Sequence, residues 1–312
     1  MRVLVTGGAG FIGSHVVDHV IARGDTVCVL DHLSTGRIEN IRHHLGRPGF
    51  TLVNDTILNA EVVNRLVESS DIVFHLAAAV GVRYIVDDPL SAISANVEGT
   101  EIVLRAAFRF WRKIVIASSS EVYGKSTRVP LGEDDDRVLG PTTVSRWSYS
   151  SSKAIDEHFA YAYAARGLPA VILRFFNVYG PRIHENGYGT VVARFIHQAL
   201  NGRPLTVHGD GRQTRCFAYV EDTVRGAPDG AEAFQAGEGR TGFPARAHYR
   251  NCWWVHEPGS PFLYGSGIYG QHVFVHGPTE TVAVKFSTWP SPLDQPAFDA
   301  TAAAVLAIGR SL

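Results

Sequence analysis

A tyrosine and a lysine four residues apart are the side chains of this sequence best suited to proton transfer. Tyr149 and Lys153 lie in the run Tyr149-Ser150-Ser151-Ser152-Lys153, and on a helix this spacing puts both on one face. A neighbouring ammonium stabilises a phenolate and lowers a tyrosine pKa from its usual value of about 10. The pair can therefore act as a general base near neutral pH, although Tyr-x-x-x-Lys also occurs often by chance.

A glycine-rich turn near the N-terminus could bind the phosphates of a dinucleotide. Gly7, Gly10 and Gly13 follow the apolar run Val3–Val5, as where a buried strand turns into a helix and offers backbone N–H groups to a pyrophosphate. A second apolar strand ends at Asp31, the spacing at which a carboxylate holds an adenosine ribose. Because a carboxylate would repel a 2′-phosphate, NAD is favoured over NADP. The alternative is an ordinary glycine-rich turn.

Alternating strands and helices must position these residues. Apolar runs and stretches of helical periodicity alternate, which predicts an α/β fold with a doubly wound parallel Rossmann sheet. The predicted strands are Val3–Thr6, Thr26–Asp31, Phe50–Val53, Asp71–Leu76, Lys113–Ala117 and Ala170–Phe175, and the predicted helices are Phe11–Arg23, Ala60–Glu68, Ser91–Phe110 and Tyr149–Ala165. Right-handed crossovers bring the strand C-termini to one edge, where ligands bind.

Together these motifs resemble the extended short-chain dehydrogenases that act as nucleotide-sugar epimerases, dehydratases and decarboxylases. The resemblance runs from Met1 to about residue 225 and implies NAD as cofactor and a UDP-sugar as substrate. The cofactor contacts that it implies are Gly7, Gly10, Phe11, Ile12, Gly13, Asp31, Asp55, Thr56, Leu76, Ala77, Ala78, Asn96, Tyr149 and Lys153. Asn96 could instead be a buried helix residue bonded to nearby backbone.

The resemblance also implies further catalytic and substrate-binding residues. Ser119 would hydrogen-bond the reacting hydroxyl, and Glu121 resembles the acid that decarboxylases and dehydratases carry. The residues expected to contact the substrate are Arg83, Asn177, Arg182 and Arg215. Simpler alternatives remain open for four of these residues. Ser119 could cap its strand, Glu121 could be an exposed loop acid, and the arginines at 83 and 182 could be surface residues.

The mechanism that the resemblance implies passes through a 4-keto sugar. Tyr149 takes the proton of the sugar 4-hydroxyl while C4 delivers a hydride to NAD, and Lys153 holds the nicotinamide ribose. An epimerase then returns the hydride to the other face, whereas a decarboxylase loses the 5-carboxylate. His75–Pro89 and Arg146–Tyr149 resemble a bacterial group of 4-epimerases. We therefore expect a UDP-glucose or UDP-glucuronate 4-epimerase, with UDP-glucuronate decarboxylase as the alternative.

Composition argues against several other classes of protein. The 312 residues carry 29 Lys and Arg against 30 Asp and Glu, a balance that provides no broad positive field for nucleic acid or a membrane surface. Cys28, Cys216 and Cys252 form no Cys-x-x-Cys pair, and the histidines show no ligand spacing, so we expect neither a disulfide framework nor a metal site. No apolar stretch approaches the roughly 18 residues of a membrane span, and no cleavable signal precedes the first strand. We expect a cytoplasmic protein.

The C-terminal region has a different character. We expect an NAD-binding domain over 1–175, a partial nucleotide-sugar-binding region over 176–226, a linker over 227–248 and a separate fragment over 249–312. The fragment's pattern predicts a β-hairpin, Gln271–His276 with Thr281–Ser287, and a terminal helix, Ala297–Ile308. From about residue 245, the chain resembles the C-terminal part of serine β-lactamase-like hydrolases that act on aminohexanoate oligomers.

This foreign tail implies a gene fusion with a truncated substrate region. Two further alternatives follow from it: an NAD-binding fusion protein with little or no turnover, and, less favoured, a serine hydrolase. For the hydrolase, Ser150-Ser151-Ser152-Lys153 is the only convincing Ser-x-x-Lys nucleophile motif. Relatives often pair through two helices, so the resemblance also implies a homodimer through Ser91–Phe110 and Tyr149–Ala165.

Overall fold

The computed structural model describes residues 1–80, 88–126, 131–184, 191–207, 209–211 and 215–226, together with five short strands between residues 248 and 285. The chain divides into two units. The first comprises Met1–Arg128 and Asp134–Ala227, and the second comprises Val129–Glu133 and Pro228–Leu312. Among the described helices, none combines the length and the apolar character that a membrane span requires.

A six-stranded sheet is the frame of the first unit. Its strands lie in the order β3-β2-β1-β4-β5-β6, and each neighbouring pair is parallel. They are β1 Arg2–Thr6, β2 Thr26–Leu30, β3 Phe50–Val53, β4 Ile72–His75, β5 Lys113–Ser119 and β6 Ala170–Phe175. The direction of winding reverses between β1 and β4, which places the ligand crevice of such sheets at the carboxyl ends of these two strands. The predicted doubly wound Rossmann sheet is confirmed.

Helices cover both faces of this sheet. The described α-helices of the first unit are α1 Phe11–Ala22, α2 Ala60–Glu68, α3 Pro89–Arg109, α4 Arg146–Ala164, α5 Val191–Leu200 and α6 Val220–Gly226. Helix α3 begins before the predicted Ser91, because Pro89 opens its first turn and Asp88 Oδ1 accepts the Ser91 N–H at 3.2 Å. Helix α4 also begins earlier than predicted. Tyr149 consequently lies near its N-terminal end rather than at its first residue.

The core lies in two layers, one on each face of the sheet. Successive side chains of a strand point to opposite faces. Accordingly Leu4 packs in the layer that contains residues of α2 and α3, whereas Val3 and Val5 pack in the layer that contains residues of α1 and α6. Because helices cover both faces of these strands, side chains on both faces are apolar, which explains the continuous apolar runs of the sequence. The rigid sheet therefore fixes the edge at which the candidate site lies.

Two smaller sheets complete the described structure. In the first unit, β7 Asn177–Tyr179 pairs in parallel with β8 Phe217–Tyr219. The second unit contains an antiparallel sheet in the order β13-β12-β11-β10-β9, whose strands are β9 His248–Arg250, β10 Trp253–Val255, β11 Phe262–Ser266, β12 His272–His276 and β13 Thr281–Lys285.

The pairing of β12 with β13 confirms the predicted hairpin. Its three companion strands were not predicted. The predicted terminal helix, Ala297–Ile308, lies outside the described residues, as does the predicted linker over 227–248 except for His248, where β9 begins. The domain boundaries proposed from the sequence stay a prediction.

Candidate active site

The turn after β1 is a cradle that requires glycine at two points. Gly7 has φ +71°, a conformation that L side chains rarely adopt. A Cβ at Gly7 would lie 2.7 Å from the Ala77 nitrogen, and a Cβ at Gly13 would collide with the Gly7 carbonyl oxygen. The turn and helix α1 are thus packed backbone against backbone, as close approach to a dinucleotide requires.

Helix α1 begins within this glycine-rich segment. Gly10 is its N-cap, and no side chain caps this fully described helix. The N–H groups of its first turn, which includes Phe11 and Ile12, have no acceptor within the helix. These donors and the helix dipole favour an anion. The arrangement fits the pyrophosphate of a dinucleotide.

Asp31 lies beside the same turn, immediately after β2. Its Oδ2 accepts the Ala9 N–H at 2.9 Å, and its Oδ1 accepts the Leu33 N–H at 2.8 Å. A Cβ at Gly36 would lie only 2.8 Å from Asp31 Oδ2, so the backbone of Gly36 packs closely against this carboxylate. These contacts fix the buried carboxylate, and each of its oxygens retains a lone pair for a ribose hydroxyl.

Two loops at the same sheet edge contain the other predicted cofactor contacts. Asp55 follows β3 and accepts the Thr56 N–H at 2.7 Å. After β4, the Leu76 N–H donates to the Thr6 carbonyl at 3.1 Å, and the Ala77 N–H donates to Thr6 Oγ1 at 3.2 Å. These hydrogen bonds hold the segment that continues through Ala78 against the end of β1, at the switch point of the sheet.

Asn96 holds the loop after β4 in place. Its Oδ1 accepts the Ala79 N–H at 2.6 Å, while its Nδ2 donates to the Ala79 carbonyl at 3.0 Å and to Ser152 Oγ at 3.3 Å. Both amide hydrogens are therefore used within the protein. The geometry matches the alternative of a buried helix residue bonded to backbone, which positions the cofactor-facing loop.

Ser119 and Tyr149 come together where β5 ends against α4. The Ser119 hydroxyl lies within hydrogen-bonding reach of the Tyr149 phenol, and Ser119 Oγ also accepts the Glu121 N–H at 3.2 Å. Ser119 therefore caps the end of its strand, as in the simpler alternative, and its hydrogen bond to the reacting sugar hydroxyl stays a prediction. The Glu121 side chain is 43% exposed, and its Oε2 lies 3.5 Å from Arg146 Nη2. A carboxylate at this distance is held only weakly and can turn towards a ligand.

The sequence-based expectation for the Tyr149 pKa is corrected by the structure. Burial raises this pKa above its ordinary value, and the nearby Glu121 and Asp156 carboxylates add to the rise, whereas Lys153 and the Ser119 hydroxyl oppose it. The net shift is upward. Lys153 lowers the Tyr149 pKa, as predicted. The sequence pattern could not show that the phenol is buried away from water, which is the larger effect.

A buried acid next to Lys153 escaped the sequence-based prediction. Lys153 Nζ donates to Asp156 Oδ2 at 3.1 Å, and the two side chains are only 3% and 0% exposed. Adjacent Glu157 accepts from Arg174 Nη2 at 2.7 Å and from Ser118 Oγ. The three-residue spacing of Lys153 and Asp156 on one helix was the available signal.

Of the predicted substrate contacts that the structure describes, two are bonded to other parts of the protein. Asn177 Nδ2 donates to the Cys216 carbonyl at 2.8 Å, linking β7 to the segment before β8. Arg182 has φ +69°, and its Nη2 lies 2.6 Å from Asp18 Oδ2 on α1, with only 25% of the side chain exposed; it is therefore not the freely exposed surface arginine of the simpler alternative, and its contact with substrate stays a prediction. Arg215 is exposed, and Arg83 lies outside the described residues.

One cluster among the described residues has ligand types suited to a metal. The potential ligand atoms of Asp18, His43 and His44 lie within 4.8 Å of one another. Both imidazole Nε2 atoms contact Asp18 Oδ1, at 2.8 and 2.6 Å. However, the Arg182 guanidinium pairs with the other oxygen of the same carboxylate, and its positive charge disfavours a cation there. The cluster is better described as an ion-pair network.

The geometry does not favour the serine hydrolase alternative. Ser150 is 1% exposed, and the lysine of its Ser-x-x-Lys motif is paired with Asp156. A nucleophile must be reachable by its substrate and have an available base. Neither condition is met at this serine.

Comparisons with known proteins identify the first unit. The model of the NAD dependent epimerase/dehydratase family matches residues 3–238. A UDP-N-acetyl-alpha-D-glucosaminuronate decarboxylase of Bacillus cytotoxicus is 44% identical over 72% of this chain and 68% of its own length. A UDP-glucuronic acid decarboxylase 2 of Arabidopsis thaliana is 40% identical over 72% of this chain, which spans only 49% of that relative.

Solved structures agree with this assignment. A UDP-glucuronic acid 4-epimerase from Bacillus cereus, in complex with UDP-glucuronic acid and NAD, superimposes with a TM-score of 0.66. It is 32% identical and covers 74% of this chain and 73% of its own. The family match ends at residue 238, before the C-terminal fragment over 249–312. The predicted resemblance of that fragment to a hydrolase has no support from these comparisons. The match of residues 3–238 and the decarboxylase relative from Bacillus together show that this chain belongs to the NAD dependent epimerase/dehydratase family.

Proposed function

We propose that the protein decarboxylates a UDP-linked hexuronate. The observation that carries the proposal is 44% identity to the UDP-N-acetyl-alpha-D-glucosaminuronate decarboxylase of Bacillus cytotoxicus, together with the placement of Ser119 and Tyr149 at one point of the site. Relatives named as UDP-glucuronic acid decarboxylases support the same reaction. The comparisons thus favour the decarboxylase alternative over the 4-epimerase that we expected from the sequence.

The cofactor is NAD, and the protein's own residues supply binding and proton transfer. When bound, NAD supplies a hydride acceptor for sugar C4 and the positive charge of its nicotinamide ring. Gly7, Gly10 and Gly13 would leave room for the pyrophosphate, and Asp31 would accept a hydrogen bond from the adenosine ribose. Tyr149 removes the 4-hydroxyl proton, and Lys153 and the Ser119 hydroxyl partly offset the burial that raises the pKa of the Tyr149 phenol.

Loss of carbon dioxide from a 4-keto uronate requires little additional chemistry. The carboxylate on C5 is β to the C4 ketone, so cleavage of the C5–carboxylate bond moves its electron pair onto the C4 oxygen. Hydrogen bonds from Ser119 and Tyr149 at that oxygen would stabilise the developing negative charge. No second base is needed for this step. A proton from solvent at C5 would restore the C4 ketone, and Tyr149 would return its proton to the C4 oxygen as C4 is reduced again, which would give a UDP-pentose.

A 4-epimerase is the second candidate. It is favoured by the likeness to the UDP-glucuronic acid 4-epimerase of Bacillus cereus. The same tyrosine, lysine and serine would serve both reactions, because both begin with oxidation at C4. The two functions differ in what happens to the carboxylate.

A product assay distinguishes them. The protein is incubated with NAD and either UDP-glucuronate or UDP-N-acetylglucosaminuronate, and carbon dioxide release and the C4 configuration by NMR are followed. We expect stoichiometric carbon dioxide and a UDP-pentose from at least one substrate. Inversion at C4 with the carboxylate retained would instead establish the epimerase, and two unchanged substrates with NAD bound would support the NAD-binding protein without turnover.

Several sequence-based expectations lie beyond these observations and stay predictions. They are the cytoplasmic location, the homodimer, the origin of the chain by gene fusion and the effect of the second unit on turnover. Each concerns the whole protein rather than the residues of the candidate site.

A further inference from the structure

A chain of buried polar groups leads from the end of β1 to the catalytic lysine. His75 Nδ1 lies 2.8 Å from Thr6 Oγ1, and His75 Nε2 lies 3.0 Å from Thr100 Oγ1. Burial, and secondarily the charge of Lys153, lower the pKa of His75 to about 3, so the ring is neutral. The Thr100 hydroxyl in turn lies beside the Asp156 carboxylate.

The hydrogen bonds of this chain have a consistent direction. Thr6 Oγ1 accepts the Ala77 N–H at 3.2 Å and can donate to His75 Nδ1. The remaining ring hydrogen, on Nε2, then donates to Thr100 Oγ1. The Thr100 hydroxyl lies close enough to Asp156 to lower the pKa of that carboxyl, but no hydrogen bond of ordinary geometry joins the two side chains.

The two carboxylate oxygens of Asp156 differ in their hydrogen bonding. Its Oδ2 accepts from Lys153 Nζ at 3.1 Å. Its Oδ1 is buried and makes no hydrogen bond of ordinary geometry within the described part of the chain. A fully buried carboxylate persists where a nearby positive charge offsets its desolvation. Here that charge is the ammonium expected to face Tyr149 and the cofactor ribose.

We propose that Asp156 is a positioning residue that anchors Lys153 and sets how strongly the lysine activates Tyr149. This inference rests on the proposed function, because it assigns Lys153 to the catalytic pair. One N–H of the ammonium is fixed by Asp156, which directs the other two towards their partners. The carboxylate charge also partly offsets the ammonium charge that the phenol experiences.

The charged and titratable groups around this pair come from several elements. Lys153, Tyr149 and Glu157 lie with Asp156 on α4, while His75 ends β4 and Glu121 follows β5. Burial raises the pKa of Asp156, with the adjacent Glu157 adding to the rise and Lys153 opposing it. Removing the Asp156 charge therefore leaves the ammonium less compensated and favours the phenolate.

The test is the substitution Asp156→Asn, read by the pKa of Tyr149 from NMR of ¹³Cζ-labelled tyrosine in the absence of sugar, with Tyr149→Phe to assign the signal. We expect this pKa to fall by roughly one unit. NAD affinity should fall several-fold, because the ammonium loses its fixed position. If the protein is active, the acidic limb of its pH–rate profile should move down by the same amount.

The matched control is Glu157→Gln, which neutralises the next residue of the same helix. Glu157 pairs with Arg174, so this variant should leave the Tyr149 pKa in place. An unmoved Tyr149 pKa in folded Asp156→Asn, or an equal shift in both variants, would overturn the proposal. Neither readout needs a sugar substrate, so a wrong assignment of the reaction would not be mistaken for a wrong role of Asp156.

A second variant covers the case in which Asp156→Asn does not fold. Asp156→Glu keeps the charge and moves the carboxylate by one methylene. We expect the Tyr149 pKa to stay within about 0.3 units of the parent, because the charge that tunes it is retained, while NAD affinity falls several-fold. Unchanged affinity in this variant would refute the anchoring role.

Discussion

Tyr149 is the residue on which the proposed proton transfer depends. We expect Tyr149→Phe to lower kcat by at least about 10²-fold, the typical contribution of a general base. The loss of one hydroxyl leaves the glycine cradle intact, so the Kd for NAD should change by less than about twofold. Steady-state kinetics and calorimetric titration with NAD measure the two quantities. Tyr161→Phe is the control, since Tyr161 is 59% exposed on the same helix; a Tyr149→Phe variant as active as this control would exclude the assigned role.

The ion pair of Glu157 with Arg174 should contribute to stability. Burial would raise the pKa of Glu157, but hydrogen bonds from Arg174 and Ser118 outweigh burial and lower it. A carboxyl with a lowered pKa stabilises the fold above its unfolded-state pKa, and this contribution is lost as the pH falls through the folded-state value. We expect Glu157→Gln to reduce the free energy of unfolding by about 3 kcal/mol at pH 7.

Urea denaturation at several pH values measures this effect. The difference between the parent and Glu157→Gln should be constant from pH 8 to about pH 6 and should shrink below about pH 4.5, where the carboxyl of the unfolded chain is protonated. A difference that grows towards acid pH would contradict the lowered pKa.

At the scale of elements, the glycine turn and helix α1 must fit together without side chains. Because a Cβ at Gly13 would collide with the Gly7 carbonyl oxygen, Gly13→Ala should displace the turn. We expect NAD affinity to fall about tenfold or more, equivalent to ~1.4 kcal/mol. A Cβ at Gly202 would meet no atom within 4 Å; its φ of +63° makes alanine strained there, so Gly202→Ala should lose some stability but bind NAD normally, since it lies after α5 and outside the glycine turn. Equal affinities of the two variants would show that the cradle is not the cofactor site.

Helices α3 and α4 pack against each other and carry exposed apolar side chains. Leu90 and Ile93 are 75% and 41% exposed on α3, and Ile155 is 41% exposed on α4. These are the helices for which the family resemblance implies a dimer interface. If the pairing forms, Ile155→Glu should give a monomer by light scattering, because it would bury a charge. Ile196→Glu, at a 55% exposed position on α5, should leave the oligomeric state unchanged. A parent protein that is itself monomeric would rule the interface out.

At the scale of the whole molecule, NAD should stabilise one unit only. All described cofactor-site residues lie in the unit with the parallel sheet. At a free NAD concentration of 100 times Kd, this unit should gain about 2.7 kcal/mol of unfolding free energy. Differential scanning calorimetry should show a transition that moves upward with NAD. If the second unit unfolds in a separate transition, that transition should not move, and a movement of both would indicate that the two units unfold cooperatively.

Much of this molecule could be predicted from the sequence, because local patterns suffice for it. Apolar periodicity gave the strands of the parallel sheet, and the order of strands and helices gave the winding. The spacing of Gly7, Gly10 and Gly13 with Asp31 identified a dinucleotide site. Boundaries were less accurate, as at α3, where Asp88 and Pro89 set the first turn. Within the second unit, only the hairpin of β12 and β13 had a recognisable pattern.

The sequence by itself determined the fold of the first unit and the use of NAD, and it predicts that Tyr149 and Lys153 act as a pair, since each is a matter of residue type and short-range spacing. Only the tertiary structure decided that Asn96 holds a loop, that Arg182 pairs with Asp18, and that the Tyr149 pKa is raised. These properties depend on burial and on contacts between distant segments. Electrostatic interactions strengthen as water is excluded, and sequence spacing alone contains no measure of that exclusion.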